Sequence, residues 1–223
     1  LASLLFFSSM AVAGTLQDSI KGGSYSGDIG INAQLQDDEG AGQEFGNAFL
    51  HLNVESGDWQ GLKIGAGYTV LTELWEDNNG DADDVHGDLL NLAYIQYTTE
   101  AATAILGRQE VDLEWIGDFH EAFSVEFTGL ESTTITALVT RSLAVADPDE
   151  ISDKFEKILD KDGDDATGYA LDAKYEGLEK FAFNGYVFGV TDLFTGFGLK
   201  VDYDNDMFGG TVHYAASSED ASG

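Results

Sequence analysis

Residues 25–36 read YSGDIGINAQLQ, and their reading decides the fold. Tyr25, Gly27, Ile29, Ile31, Ala33 and Leu35 fall on one side of an extended chain; Ser26, Asp28, Gly30, Asn32, Gln34 and Gln36 fall on the other. A period of two with one apolar and one polar side predicts an amphipathic strand. The alternation returns at 47–54, where Ala48, Leu50, Leu52 and Val54 oppose Asn47, His51 and Asn53, with Phe49 as a mild exception. It returns again at 61–70, where Leu62, Ile64, Ala66, Tyr68 and Val70 oppose Lys63 and Thr69. The segments at 89–98, 102–109, 122–129, 133–140, 168–175, 180–188, 195–203 and 209–216 repeat the pattern. That makes about eleven candidate strands of roughly nine to eleven residues, the length a tilted strand needs to cross a bilayer. No segment holds a helical period long enough to anchor a helical core.

The chain has 223 residues with 10 basic and 41 acidic side chains, a net charge of -31, which excludes nucleic acid as a partner because its phosphates would be repelled. With 43% hydrophobic and 12% aromatic residues it is nonetheless too apolar for a disordered acidic chain. The absence of cysteine excludes disulfides and thiolate metal sites. One proline and 27 glycines suit strands better than a proline-rich linker. At the start, LASLLFFSSMAVAGT is a short apolar run followed by Ala11-Val12-Ala13, a small-x-small cleavage pattern. Residues 1–13 are therefore expected to be an export signal, truncated at its start and cleaved after Ala13. A buried N-terminal helix is the alternative.

The connections alternate as well. Tight polar turns are expected at 56–58, 99–101, 129–131, 176–179 and 204–206, and longer links at 37–44, 74–88, 109–121, 142–166 and 189–194. Turns and links taking alternate places put all the former at one end of an up-and-down meander and all the latter at the other. A soluble sandwich has no reason to sort its loops so. Charges of both signs share one face: Asp172, Lys174 and Glu176 lie opposite Tyr169, Leu171, Ala173 and Tyr175, while Lys200 and Asp202 lie opposite Phe197, Leu199, Val201 and Tyr203. Ions in a dry core would cost several kcal/mol each, so this face fits a water-filled lumen. Tyr and Phe near the strand ends of the other face fit aromatic girdles at lipid headgroups. The expected fold class is all-β, a transmembrane antiparallel up-and-down β-barrel.

LGRQEVDLEWIGDFHEA (106–122), TELWEDNNGD (72–81), LDAKYEGLE (171–179) and YDNDMFGGTVHYAASSED (203–220) resemble the Opr-family (OprD-like) outer-membrane porins. The resemblance covers essentially the whole chain after the leader. It implies that residues 14–223 are the N-terminal part of a single porin barrel of more strands, monomeric or trimeric, in the outer membrane of a Gram-negative cell. It also implies a water-filled channel for passive diffusion of small hydrophilic solutes and ions, with no catalysis and no cofactor. In such porins the third loop folds inward to narrow the pore, which makes 109–121 the expected constriction. On that reading Trp115, Ile116 and Phe119 anchor the loop to the wall. Glu110, Asp112, Glu114, Asp118 and Glu121 face the water path and favour cations. Lys63, Arg108, Lys174 and Lys200 form an opposing basic wall. Lys63, Lys174 and Lys200 have lumen parity, whereas Arg108 shares the parity of Ala104 and Leu106, and Arg141 that of Ile135, Ala137 and Val139. A solvated external loop is the blander reading of 109–121, and an exported soluble β-sandwich adhesin or binding module is the alternative for the whole chain.

Other constellations carry less. In the acidic stretches EDNNGDADD and DKDGDD, the EF-hand pattern fails, because Trp75 and Ile158 stand where the first acid is required. Weak surface binding of divalent cations and plain solvated loops both remain open there. His51, His86, His120 and His213 show no ligand spacing, so no metal site is expected. No Ser and His pair has a local nucleophile signature, and the glycine pairs lack the strand-to-helix context of a phosphate loop.

Overall fold

A computed structural model describes residues 18, 21–35, 44–78, 80–83, 85–205 and 207–219. The expected leader at 1–13 and nearly all of the first link, at 37–44, lie outside the described residues. Among the described residues fourteen strands follow one another: β1 (Ser24–Leu35), β2 (Glu44–Glu55), β3 (Leu62–Glu76), β4 (Gly87–Thr98), β5 (Ala102–Glu110), β6 (Phe119–Leu130), β7 (Thr133–Ala144), the short β8 (Ala146–Asp147), β9 (Glu150–Ile151) and β10 (Glu156–Lys157), then β11 (Gly168–Leu178), β12 (Phe181–Val190), β13 (Phe194–Asp204) and β14 (Gly209–Glu219). The long strands pair in chain order, β1-β2-β3-β4-β5-β6-β7-β11-β12-β13-β14, and every pairing is antiparallel. This is an up-and-down meander. Among the described residues β1 and β14 each have a neighbour on one side only, so the sheet is an open part of a barrel.

Each predicted segment became a long strand because its alternation survives pairing. Ile29 faces Leu50 in the register, Ala66 faces Val54 and Leu171 faces Ala137, so apolar meets apolar along each ladder. The direction of that face is the decisive point. Ile29 is 79% exposed, Ile64 54%, Leu171 47% and Phe197 52%, and Leu50, on the same face, is half-buried. The polar parity is the covered one: Thr69, Gln109, Thr140, Ser142 and Asp172 are buried. Water would charge roughly 1.5–3 kcal/mol for each large apolar side chain left outside, an inversion that acyl chains remove. Near the tight-turn end of β11 to β14 the outer face carries a chain of rings: Tyr175 on Phe183, Phe183 on Phe181, Phe181 on Tyr203 and Tyr203 on Phe208. That band fits an interfacial girdle. Among the described residues no helix is long and apolar enough to cross a membrane, which says nothing of strands.

The turns show how the ends are closed. Trp59 and Leu62 exchange backbone hydrogen bonds of 2.9 and 3.1 Å around Gln60 and Gly61, both at positive φ (56° and 87°), the mirror-image turn that suits strand twist. Residues 99–101, 131–132 and 179–180 are equally short, at the same end. The expected long link at 189–194 is instead a three-residue turn, 191–193, because β12 and β13 stay paired out to Val190 and Phe194. Among the described residues the sorting of connections therefore fails at 191–193. Two other links shorten at both ends, to 77–86 and 111–118, and the link expected at 142–166 runs over 145–167, as the flanking strands run on past their amphipathic stretches.

The link 145–167 folds over the inner face of β2 to β4. Ala144, Ala146 and Ile151 share a buried apolar cluster with Phe45, Leu71, Ala82, Val85 and Leu89, against which Phe49, Phe119 and Phe155 pack, and Asn47 Nδ2 donates to the Pro148 carbonyl at 2.7 Å. Phe49 breaks the strand pattern for this reason: it is an inward apolar residue with a lobe of chain above it.

Candidate functional site

The link between β5 and β6 is a small β-finger. Val111 N bonds to Asp118 O at 2.9 Å, Leu113 and Ile116 exchange bonds of 2.9 and 3.2 Å, and Glu114 with Trp115 forms the two-residue tip. Asp118 closes the base with a left-handed φ of 68°, a conformation Asp tolerates better than most residues. Alternation within the finger sorts its chemistry. Val111, Leu113 and Ile116 pack on Ala122, Leu138, Ala170 and Phe188 of the inner wall, while Glu110 and Asp112 stay exposed.

The tip crosses to the far strands. The Trp115 indole N–H donates to Tyr186 Oη at 2.7 Å and its ring lies 6.3 Å from Phe188 and 5.7 Å from His213. Glu114 accepts two bonds from Lys200 Nζ, at 3.0 and 3.1 Å, and lies 3.8 Å from His213 Nδ1. His213 Nε2 in turn meets Tyr186 Oη at 2.5 Å. A finger from β5 and β6 is thus latched to β12, β13 and β14. At its base His120 meets the Gly117 carbonyl at 2.8 Å and Thr140 Oγ1 at 3.0 Å.

Below the tip lies a polar cleft of about 470 Å³. Asp112, Glu114, Glu126, Asp172 and Asp202 line it against only Lys174 and Lys200, so its field is negative. Asn184 holds Asp172 through bonds of 3.1 and 3.3 Å, and Thr211 donates to Asp202 at 2.6 Å. Above the finger, burial and then the charges of Asp118 and Asp149 hold the Asp147 carboxyl above its ordinary value, with His51 opposing them. The acids of the two inward segments are therefore electrostatic neighbours.

The expected site residues separate into groups. Glu114, Trp115 and Ile116 come together at the tip, and Asp112 and Asp118 flank it. Glu110 ends β5, and Glu121 lies within β6, where it accepts from Arg108 Nε at 3.0 Å and from Ser142 at 2.7 Å. Phe119 is the first residue of β6 and packs against the other lobe. The four cations do not stand as one wall. Lys63 bonds Glu55 at 2.8 Å near the tight-turn end, and Lys174 meets Glu176 at 3.1 Å. Arg108 bonds Glu121 and the Leu90 carbonyl and sits 4.4 Å over the Phe155 ring, leaving Lys200 at the finger. Arg141 is exposed on β7 near the bulge between Glu121 and Ala122. Sequence reasoning missed Val111 and Leu113, whose alternation with the acids was visible, and Tyr186 and His213, whose inner parity was readable but whose meeting with the finger was not. Among the described residues no group of three or more His, Asp or Glu side chains is set to hold a metal ion.

An antiparallel meander with apolar side chains outward and an inward finger across its polar face is part of the wall of a transmembrane β-barrel. Solved porins share the fold. OccK9 (OpdG) of Pseudomonas aeruginosa is similar with a TM-score of 0.72 at 14% identity, covering 91% of this chain and 60% of that one. OccK8 (OprE) of the same organism gives 0.68 at 14% identity, covering 91% and 56%, and a BenF-like porin from Pseudomonas fluorescens Pf-5 gives 0.63 at 11% identity, covering 89% and 58%. This chain spans between half and three fifths of the length of such porins. No protein-family model and no curated protein sequence matches it.

Proposed function

We propose that this chain is part of the wall of an outer-membrane diffusion channel that passes small hydrophilic solutes and favours cations. The observation that carries the reading is the inversion of the sheet: exposed apolar side chains on one face, and on the other a polar lining that an inward finger crosses. On this reading residues 14–223 belong to one barrel domain and 1–13 are an export signal. Its partners are outer-membrane lipid and the solutes in transit, with a trimer as one assembly open to it, and nothing is catalysed. The exposed apolar face weighs against a soluble sandwich.

Glu114 and Lys200 mark the constriction, with Asp112 and Asp118 beside them, Ile116 as an anchor and Trp115 as the latch. Glu110 and Glu121 stand at the mouth, the latter neutralised by Arg108. Five carboxylates against two ammonium groups in the cleft support the preference for cations, because a cation enters that field at lower energy than an anion. Reversal potential across a planar bilayer in a salt gradient tests it. The full-length protein should conduct and give a cation-favouring sign; an anion-favouring sign removes the selectivity, and an absence of conductance removes the channel.

A further inference from the structure

Beside the finger tip, on the long-link side, lies a second cleft unlike the polar one. It has a volume of about 270 Å³, and Trp115, Ile116, Phe188, Val190 and Phe194 supply its apolar wall. The rings are already arranged as an aromatic box. Trp115 lies 14° from parallel with Phe188 at 6.3 Å, and Phe194 stands edge-on to Phe188 at 5.7 Å. The indole N–H is satisfied by Tyr186, so its apolar body remains the contact surface, and Trp115 is 54% exposed. The floor is kept open by Gly168, where a Cβ would come within 2.8 Å of Thr140 Cγ2 and 3.0 Å of Ile158 Cδ1.

The polar groups of this cleft define its specificity. His120 is held by Gly117 and Thr140 and has no free ring nitrogen to offer. The exposed Asp118 carboxylate stands on the rim, with Asp147 close enough to feel its charge. An apolar cavity of roughly 150 Å³ already admits benzene, so this cleft has room for one ring and a short arm. A ring face also attracts a cation, and a carboxylate rejects an anionic arm.

We infer that this cleft is a binding subsite for a small aromatic ammonium ion, its ring among Trp115, Phe188 and Phe194 and its ammonium group at Asp118. The inference rests on the channel reading, since it places the subsite next to the constriction formed by Glu114 and Lys200. A bound ion there would wait at the mouth of the negative cleft below, as a solute step before passage.

The full-length protein in planar bilayers, with 2-phenylethylamine as the probe, tests it. n-Butylamine and phenylacetate serve as the aliphatic and anionic controls. Phenylethylamine should interrupt the current at several-fold lower concentration than either control. Asp118→Asn keeps a residue suited to the left-handed backbone, and Phe194→Leu leaves the Trp115 to Tyr186 bond in place; each should weaken the block by about three-fold, the scale of one aromatic or surface charge contact. Block is divided by each variant's own open conductance, and heat-modifiable migration checks its folding. Saturation-transfer NMR with phenylethylamine on the detergent-solubilised protein gives a readout that needs no pore. Binding without conductance would remove the channel reading and keep the subsite. Normal conductance with equal block by all three probes, or with block unchanged in both variants, overturns the subsite.

Discussion

At the scale of single residues the chain places its few cations beside carboxylates. Lys63, Arg108, Lys174 and Lys200 each have a carboxylate within 3.1 Å, so the field over the polar face comes from the acids left over. Replacing Asp112, Glu114 and Asp118 together with their amides should therefore move the reversal potential toward zero, with Glu114→Gln contributing because it leaves Lys200 uncompensated. An unchanged potential would take the finger out of the permeation path. Asp160, in the link outside the membrane, makes a separate prediction. The amides of Asp164 and Asp162 each donate to its Oδ1 at 2.9 Å, and these bonds, the first above all, hold its carboxyl below the ordinary carboxylate value. A lowered folded-state pKa means that the lock is complete above the unfolded value and disappears as the pH falls through the folded one. Hydrogen exchange at the Asp162 and Asp164 amides should show protection at neutral pH, relative to Asp160→Ala, that vanishes only in strong acid. Equal exchange in the two proteins at neutral pH would dismiss the lock.

At the scale of elements the finger matters most, and its hold divides between grease and hydrogen bonds. Leu113 and Ile116 sit half-buried against Val111, Leu138 and Ala170, so trimming both to Ala should loosen the finger by about 2–3 kcal/mol, below the full cost of two buried aliphatics. Open-channel current should become larger and noisier; a quiet, unaltered trace would assign the hold to the Glu114 and Trp115 bonds alone. This element also marks where sequence reading stops. The strands were legible because alternation is local: Leu171 and Ala173 declare their side whatever lies across the sheet. The finger was legible as a link with apolar and acidic residues, but its landing place was not, because Lys200 and His213 lie about ninety residues away and only the curl of the sheet brings them near. The three-residue turn at 191–193 was misjudged for a related reason. Thr191, Asp192 and Leu193 look like loop, and only the pairing of Val190 with Phe194 shows that the strands run up to them.

At the scale of the whole molecule, the proposal reduces to which face meets lipid, and one pair of neighbouring positions can decide it. Leu171 and Asp172 are consecutive on β11, opposite Ala137 and Thr136 on β7, so the pairs Leu171 with Ala137 and Asp172 with Thr136 stand at the same height on opposite faces. Leu171 is 47% exposed and its neighbour Asp172 is buried. In a water-soluble protein, Leu171→Arg would put a charge on the surface and change stability by less than about 0.5 kcal/mol. In a bilayer the same change buries that charge among acyl chains, at a cost of roughly 2–4 kcal/mol if the position is near the midplane. Thr136→Arg should behave in the opposite way, because its side lines the polar cleft beside Glu126 and Asp172, where a cation finds counter-charges and water. Urea titration of the full-length protein folded into lipid vesicles should therefore rank Leu171→Arg well below Thr136→Arg in stability. The same Thr136→Arg protein should show a weaker cation preference in the bilayer, since it adds positive charge to the lining. If Leu171→Arg proves harmless and Thr136→Arg unfolds the protein, the apolar face meets water, the polar face is a closed interior, and no channel runs along it.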